Sequence, residues 1–166
     1  AIGGFAAMFV LLVVLVQKGS PVTLVWLSLA ALAPLSLVTA TLFWIDRWAP
    51  IPWSARWVAL AWGAGIAVVL AATLNTAGQM DVLRYTGSQI SADRFVAQLV
   101  APVVEESVKG LGVFLILWIA RSRLTSVLSA ASVGGLVGAG FAYTENIQYF
   151  LMAHAQGSAV LNLTML

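Results

Sequence analysis

Leu99-Val100-Ala101-Pro102-Val103-Val104-Glu105-Glu106-Ser107-Val108-Lys109-Gly110 sets two adjacent glutamates and a lysine inside a run otherwise apolar enough to cross a bilayer. A charge at the bilayer centre costs about 2.5–3.5 kcal/mol on insertion scales, so an intramembrane carboxylate points to function by default. A third carboxylate, Glu145, stands in the next apolar segment, within Phe141-Ala142-Tyr143-Thr144-Glu145-Asn146. Three of the six acidic residues therefore sit in lipid-compatible sequence.

The remainder of the chain points to the same solvent. Hydrophobic residues make up 61% of the 166 and charged residues 8%, largely in runs near the ~20 residues that cross a hydrocarbon core. The sequence reads as all-α: a polytopic transmembrane helical bundle, one transmembrane domain over 1–166, with about five spans and the start of a further segment. A β-barrel would need apolar/polar alternation in ten-residue segments, which is absent. With no cysteine, neither disulfides nor thiolate chemistry is available. The net charge of +2 is small and scattered, and no nucleic-acid motif accompanies it. The bilayer is the expected partner, and nucleic acid is not. The chain opens at Ala1 and ends at Leu166 in apolar sequence, and is read as a fragment.

The expected spans are 2–16, 22–45, 57–76, 94–120 and 125–152, the first of them short. Pro34 is expected to kink the second. The loop after it carries Trp44, Trp48, Trp53 and Trp57 with Arg47 and Arg56, the composition of a headgroup belt. Residues 80–93 read as a short amphipathic element on the membrane surface, with Ser91 and Asp93 suited to a helix start. A polar loop is expected after His154. The loops carrying Arg47, Arg56, Arg121 and Arg123 share one side, read as cytoplasmic from their basic excess.

At 1.5 Å per residue, Glu105 lies ~15 Å below the outer end of its span and Glu145 ~10 Å below the same side of the next, antiparallel one. Two neighbouring helices thus bring carboxylates to similar depth. Lys109 is spaced i+4 from Glu105 and i+3 from Glu106, so its ammonium can partner either. Gly134, Gly138, Phe141, Glu145 and Tyr149 form one stripe, whose glycines would let a neighbouring backbone close in, with Gly110 and Gly112 as the matching surface. The stripe equally suits a second copy of the chain, giving a homo-oligomer. Pro102 has no N–H to give the Gln98 carbonyl, which loosens the helix one turn before Glu105.

Three carboxylates against one lysine cannot all be ionised cheaply, so one keeps a proton or a cation is missing from the count. Hydrolysis uses either arrangement, through a carboxylate base or a carboxylate-held metal. Two alternatives stand beside it: a proton- or cation-coupled membrane transporter, and a polar network that merely fixes helix register. No internal repeat supports the transporter.

Glu105-Glu106-Ser107-Val108-Lys109 matches the EExxK motif, and Phe141 to Asn146 the FxxxEN motif, of the PrsW family of intramembrane proteases, which the region from Phe95 to Phe150 resembles. That family is similar to the wider CAAX/Abi group of membrane proteases. The resemblance implies a glutamate-based intramembrane endopeptidase, described as a metalloprotease, in a bacterial plasma membrane. Its substrate would be a membrane-tethered protein such as an anti-sigma-factor-like regulator. By motif, Glu105 would activate water, Glu106 would be a supporting or ligand carboxylate held by Lys109, and Glu145 would position the water or a metal. Asn146 would support Glu145 or a polarised carbonyl. A divalent metal such as zinc is implied, with Glu106 and Glu145 as candidate ligands. The family's histidine motifs lie on a later span that this sequence does not include, and His154 does not match them.

Overall fold

The computed structural model describes Gly3, Gly4 and residues 20–164, with side chains described to Gly157. The expected span at 2–16 lies outside the described residues. All regular structure among those described is helical: α1 (Pro21–Asp46), α2 (Trp53–Ala61), π1 (Trp62–Ala67), α3 (Val68–Thr86), α4 (Gln89–Phe95), π2 (Val96–Val100), α5 (Ala101–Ile119) and α6 (Val127–Thr164). α2, π1 and α3 run on as one rod, and so do α4, π2 and α5.

Among the described residues, three helices are long and apolar enough to cross a membrane: Pro21–Asp46, Trp53–Thr86 and Val127–Gly157. The rod at 89–119 has the length but carries Glu105, Glu106 and Lys109 along its apolar half. The three charges that mark the candidate site, rather than any lack of apolar residues, are what set this rod apart from the other three. The chain is an integral membrane protein.

Local chemistry explains the boundaries. The Ser20 hydroxyl accepts from the Thr23 amide at 3.1 Å, and Pro21 follows where a missing N–H costs nothing. α1 is continuous through Pro34. The element expected on the surface at 80–93 is instead the end of α3 followed by a sharp stop. Gly87, at φ 62°, closes α3 in the left-handed conformation that glycine adopts without Cβ strain. α4 then begins under a Ser88 cap, which accepts from the Ser91 amide at 3.3 Å; Ser91 is the residue capped, not the cap. Ser126 caps α6 through the Ser129 amide at 3.0 Å. The polar loop expected after His154 is absent, because α6 continues to Thr164.

α6 is the central element and packs against α1, the α2–π1 rod and α5. Its middle is buried nearly all round, with Val133, Leu136 and Val137 at one level and Phe141, Thr144 and Ile147 above. Leu24 and Ala31 of α1 pack on Ile147 and Leu151. The rest of α1 turns large apolar side chains outward, among them Val25, Trp26, Leu29 and Leu37, the surface that lipid solvates. Close approach uses only some of the expected glycines: Gly112 makes it, Gly138 and Gly110 do not, and Gly63 and Gly140 join. Nothing lies within 4 Å of a side chain built at Gly138 or Gly110, whereas one at Gly140 would strike the Leu60 carbonyl, one at Gly63 the Val137 carbonyl, and one at Gly112 the Trp62 ring. The π1 turn explains this, since the backbone it swings outward nests against α6.

One buried contact lies in the tryptophan-rich loop. Asp46, 1% exposed, meets Arg56, 12% exposed, at 3.2 Å. The guanidinium carbon also lies 4.9 Å from the Phe43 ring centre and 4.5 Å from that of Trp53. Arg56 is therefore an internal counter-ion rather than a member of the headgroup belt. The contact satisfies charge without an aligned hydrogen bond, for the Asp46 oxygens and Arg56 Nε lack one.

Candidate functional site

π2 ends at Val100, two residues before Pro102. Proline offers no donor to the Gln98 carbonyl, and the chain absorbs the loss in a widened turn there. From that break α5 rises through Glu105, Glu106 and Lys109.

Adjacent residues on a helix point ~100° apart, and the two glutamates divide accordingly. Glu105 turns towards the protein, with its side chain 24% exposed, and Glu106 turns away, at 76%. Lys109, 19% exposed, reaches both: its Nζ donates to Glu106 Oε1 at 2.9 Å and lies 3.8 Å from Glu105 Oε2. The same ammonium stands 4.0 Å from the centre of the Phe141 ring on α6, an attractive placement over the π face. Glu145, one turn beyond Phe141 and half-buried, is within electrostatic reach of Glu105 and Lys109. Tyr149, a further turn along, is within reach of Glu145.

The structure therefore brings Glu105, Lys109 and Glu145 to one level between α5 and α6, with Glu106 held to Lys109 from the outer side. The Asn146 side chain, half-buried beside them, hydrogen-bonds to no partner among the described residues. His154 does not join the group: nine residues after Glu145 on the same helix, it lies ~13.5 Å away on the opposite face. Leu99, Val103, Glu106 and Gly110 form an exposed stripe along π2 and α5, so the cluster is open sideways at Glu106 and closed towards α6 at Glu105.

Two hydrogen bonds absent from the sequence reading hold this level in register. Trp62 Nε1 donates to the Val108 carbonyl at 3.0 Å, next to Lys109, and the Thr144 hydroxyl donates to the Ala64 carbonyl at 2.8 Å, next to Glu145. Both connect π1 to the motif helices. Beneath them Ala67, Val68, Ala71, Val108 and Phe141 form an apolar floor, with Trp62 and Val104 packed against it. The only sequence signal for this support is local: an indole beside Gly63-Ala64-Gly65, where small residues leave room for a neighbour.

A family model for the PrsW family intramembrane metalloproteases matches residues 51–166, which include every residue of this cluster. The chain belongs to that family. It is accordingly an intramembrane protease, a hydrolase acting in the membrane. Comparison with curated proteins and with solved structures gave no match.

The metal in the family's description can be tested against the PrsW side chains present here. No group of three or more His, Cys, Asp or Glu side chains able to hold a metal occurs among the described residues. Hydrolytic zinc takes three protein ligands with nitrogen or sulfur among them, whereas Glu105 and Glu145 offer oxygen alone and Glu106 faces away. These residues do not by themselves make such a site.

Proposed function

We propose that this chain hydrolyses a peptide bond of a membrane-tethered protein, with Glu105 as the general base. The observation that carries this reading is Lys109 lying between the two glutamates and the α6 face that bears Glu145. Glu105 takes a proton from a water whose oxygen attacks the scissile carbonyl carbon. The tetrahedral intermediate collapses by breaking the C–N bond, and the proton on Glu105 passes to the leaving amine. Lys109 offsets the negative charge of the glutamate pair, Glu106 holds the ammonium by its hydrogen bond, Glu145 orients the water, and Asn146 donates to the carbonyl oxygen.

The exposed stripe through Leu99, Val103 and Glu106 suits lateral approach of a single-span substrate. The cut falls in the half of the membrane away from Arg47, Arg121 and Arg123, since Glu105 lies ~21 Å along α5 from Ile119.

The test compares wild type with Glu105→Gln, expressed from the complete gene in the same cells. Membrane proteomes are searched for a single-span protein shortened only with wild type. Glutamine keeps the volume and removes the base, so the shortened product should vanish. Its persistence at wild-type level, with both proteins equally abundant, would remove Glu105 from this role.

A further inference from the structure

Far from the carboxylates, at the end where α2 begins and α5 stops, a cavity of about 400 Å³ opens between the two helices. Its polar lining is Arg123, Ser122 and Ser54, and its walls include Val58, Ile116 and Ile119. A second cavity of about 240 Å³ shares those three apolar residues and continues to Trp62 and Ile66. From Pro52 to Ile66 is ~21 Å of helix, so together they make an apolar groove with a basic mouth. The mouth lies in the arginine and tryptophan layer, where Arg47 stacks on Trp44 and Trp48 at 4.6 and 4.9 Å.

Among the described residues, Arg123 forms no ion pair with a carboxylate. The carboxylates of the sequence are Asp46, Asp81, Asp93, Glu105, Glu106 and Glu145. Asp46 is taken by Arg56, Asp81 by Arg84, and Glu105 and Glu106 by Lys109. Asp93 accepts from Gln79 and Gln89, and Glu145 belongs to the candidate site.

We propose that this groove binds an anionic phospholipid, its phosphodiester on Arg123 with the Ser54 and Ser122 hydroxyls, and one acyl chain along Val58, Ile116 and Ile119 towards Trp62. A soluble anion would satisfy the arginine but leave the apolar groove unfilled, and a zwitterionic lipid would bring its own cation to the mouth. The lipid fills both parts at once. Its chain ends against the indole that hydrogen-bonds beside Lys109, a physical connection from the lipid to the carboxylate level.

The test uses the purified full-length protein, delipidated in mild detergent, titrated separately with phosphatidylglycerol, phosphatidylcholine and inorganic phosphate. Retained lipid is counted by native mass spectrometry, and the unfolding midpoint is followed in parallel. Phosphatidylglycerol should bind saturably and more tightly than phosphatidylcholine, and phosphate alone should not shift the midpoint. A basic side chain near an anionic headgroup contributes about a five-fold change in affinity, so Arg123→Gln should weaken phosphatidylglycerol binding by about that factor. Arg123→Lys should keep it, and Arg94→Gln, an exposed change on the other rod end, should not affect it. Ile119→Trp, made at an exposed position on the shared wall, should weaken retention of the lipid with the mouth intact. Equal binding of the two lipids, an unaltered Arg123→Gln, or a phosphate effect matching that of phosphatidylglycerol would each overturn the proposal. These readouts do not involve proteolysis, so they stand apart from the assignment of Glu105.

Discussion

The Thr144 hydroxyl donates to the Ala64 carbonyl at 2.8 Å, joining the residue before Glu145 to a π-helical turn eighty positions earlier in the chain. Both groups are buried. A widened turn leaves carbonyls out of line with their usual amides, and a hydroxyl from the neighbouring helix supplies a donor. This bond fixes the height of Glu145 against the α2–π1 rod, as the Trp62–Val108 bond fixes that of Lys109.

Thr144→Val keeps the shape and removes the donor. An unsatisfied buried carbonyl costs about 1–3 kcal/mol, so the unfolding midpoint should drop by several degrees and proteolysis should fall with it. Thr144→Ser should restore both. Thr73→Val is the comparison, because that hydroxyl bonds back to Val69 within its own helix from an exposed position. Equal midpoints for Thr144→Val and wild type would show that the inter-helix bond contributes nothing.

Lys109 tests whether the polar cluster is catalytic or only structural. Lys109→Met leaves Glu105, on the protein-facing side, without its cation and should lower stability by about 1–3 kcal/mol. Replacing Glu105 as well, in Lys109→Met/Glu105→Gln, removes the unpaired charge, so stability should return. Activity should not. If the double variant regained proteolysis along with stability, Lys109 and Glu105 would be scaffold alone.

The difference between what was legible in the sequence and what was not follows from the range of each interaction. Glu105, Glu106 and Lys109 are helical neighbours, so the i+3 and i+4 pairing could be read from spacing, and the break near Pro102 from a missing donor. The level shared with Phe141 and Glu145 followed from two antiparallel rods joined by a short connection. Trp62 and Thr144 were invisible because their partners are backbone carbonyls of other helices, and a carbonyl carries no residue-type signal. Part of the glycine pattern failed for a related reason. Which small residue meets a neighbour depends on how π1 rotates the rod: Gly112 meets Trp62 as expected, while Gly138 and Gly110 stay open and Gly63 and Gly140 take the close contacts. Arg56 was misread because an arginine among tryptophans has the composition of a headgroup belt, whether it faces lipid or a buried Asp46.

The Asp46–Arg56 pair predicts an asymmetry between single and double changes. Removing one partner of a buried ion pair strands the other and costs about 3–5 kcal/mol, whereas replacing both with apolar groups is often neutral. Asp46→Leu and Arg56→Met should each lower the unfolding midpoint strongly. The double variant should recover most of the loss, with Met at 56 still lying against Phe43 and Trp53. Additive losses in the double variant would mean that the two side chains do not act as a pair.

The glycines of α6 give the sharpest steric test, because neighbours on one helix predict opposite outcomes. A methyl at Gly140 meets the Leu60 carbonyl and the Ala64 amide, both backbone atoms that cannot turn aside. Gly140→Ala must push α6 from the α2–π1 rod, and overpacking of this kind costs about 1–3 kcal/mol. At Gly138 no atom lies within 4 Å of the added methyl, and alanine is favoured over glycine within a helix by about 0.5–1 kcal/mol. Gly138→Ala should therefore be neutral or stabilising and keep full activity, while Gly140→Ala should unfold at lower temperature and lose activity as Thr144 is drawn off the Ala64 carbonyl. Thermal unfolding of the two variants in the same detergent checks this, with cleavage of one membrane-tethered substrate as the second readout. A tolerated Gly140→Ala would mean that α6 and π1 do not pack at this distance in the membrane. A damaging Gly138→Ala would place a partner, such as a second copy of the chain, on the stripe that is open here.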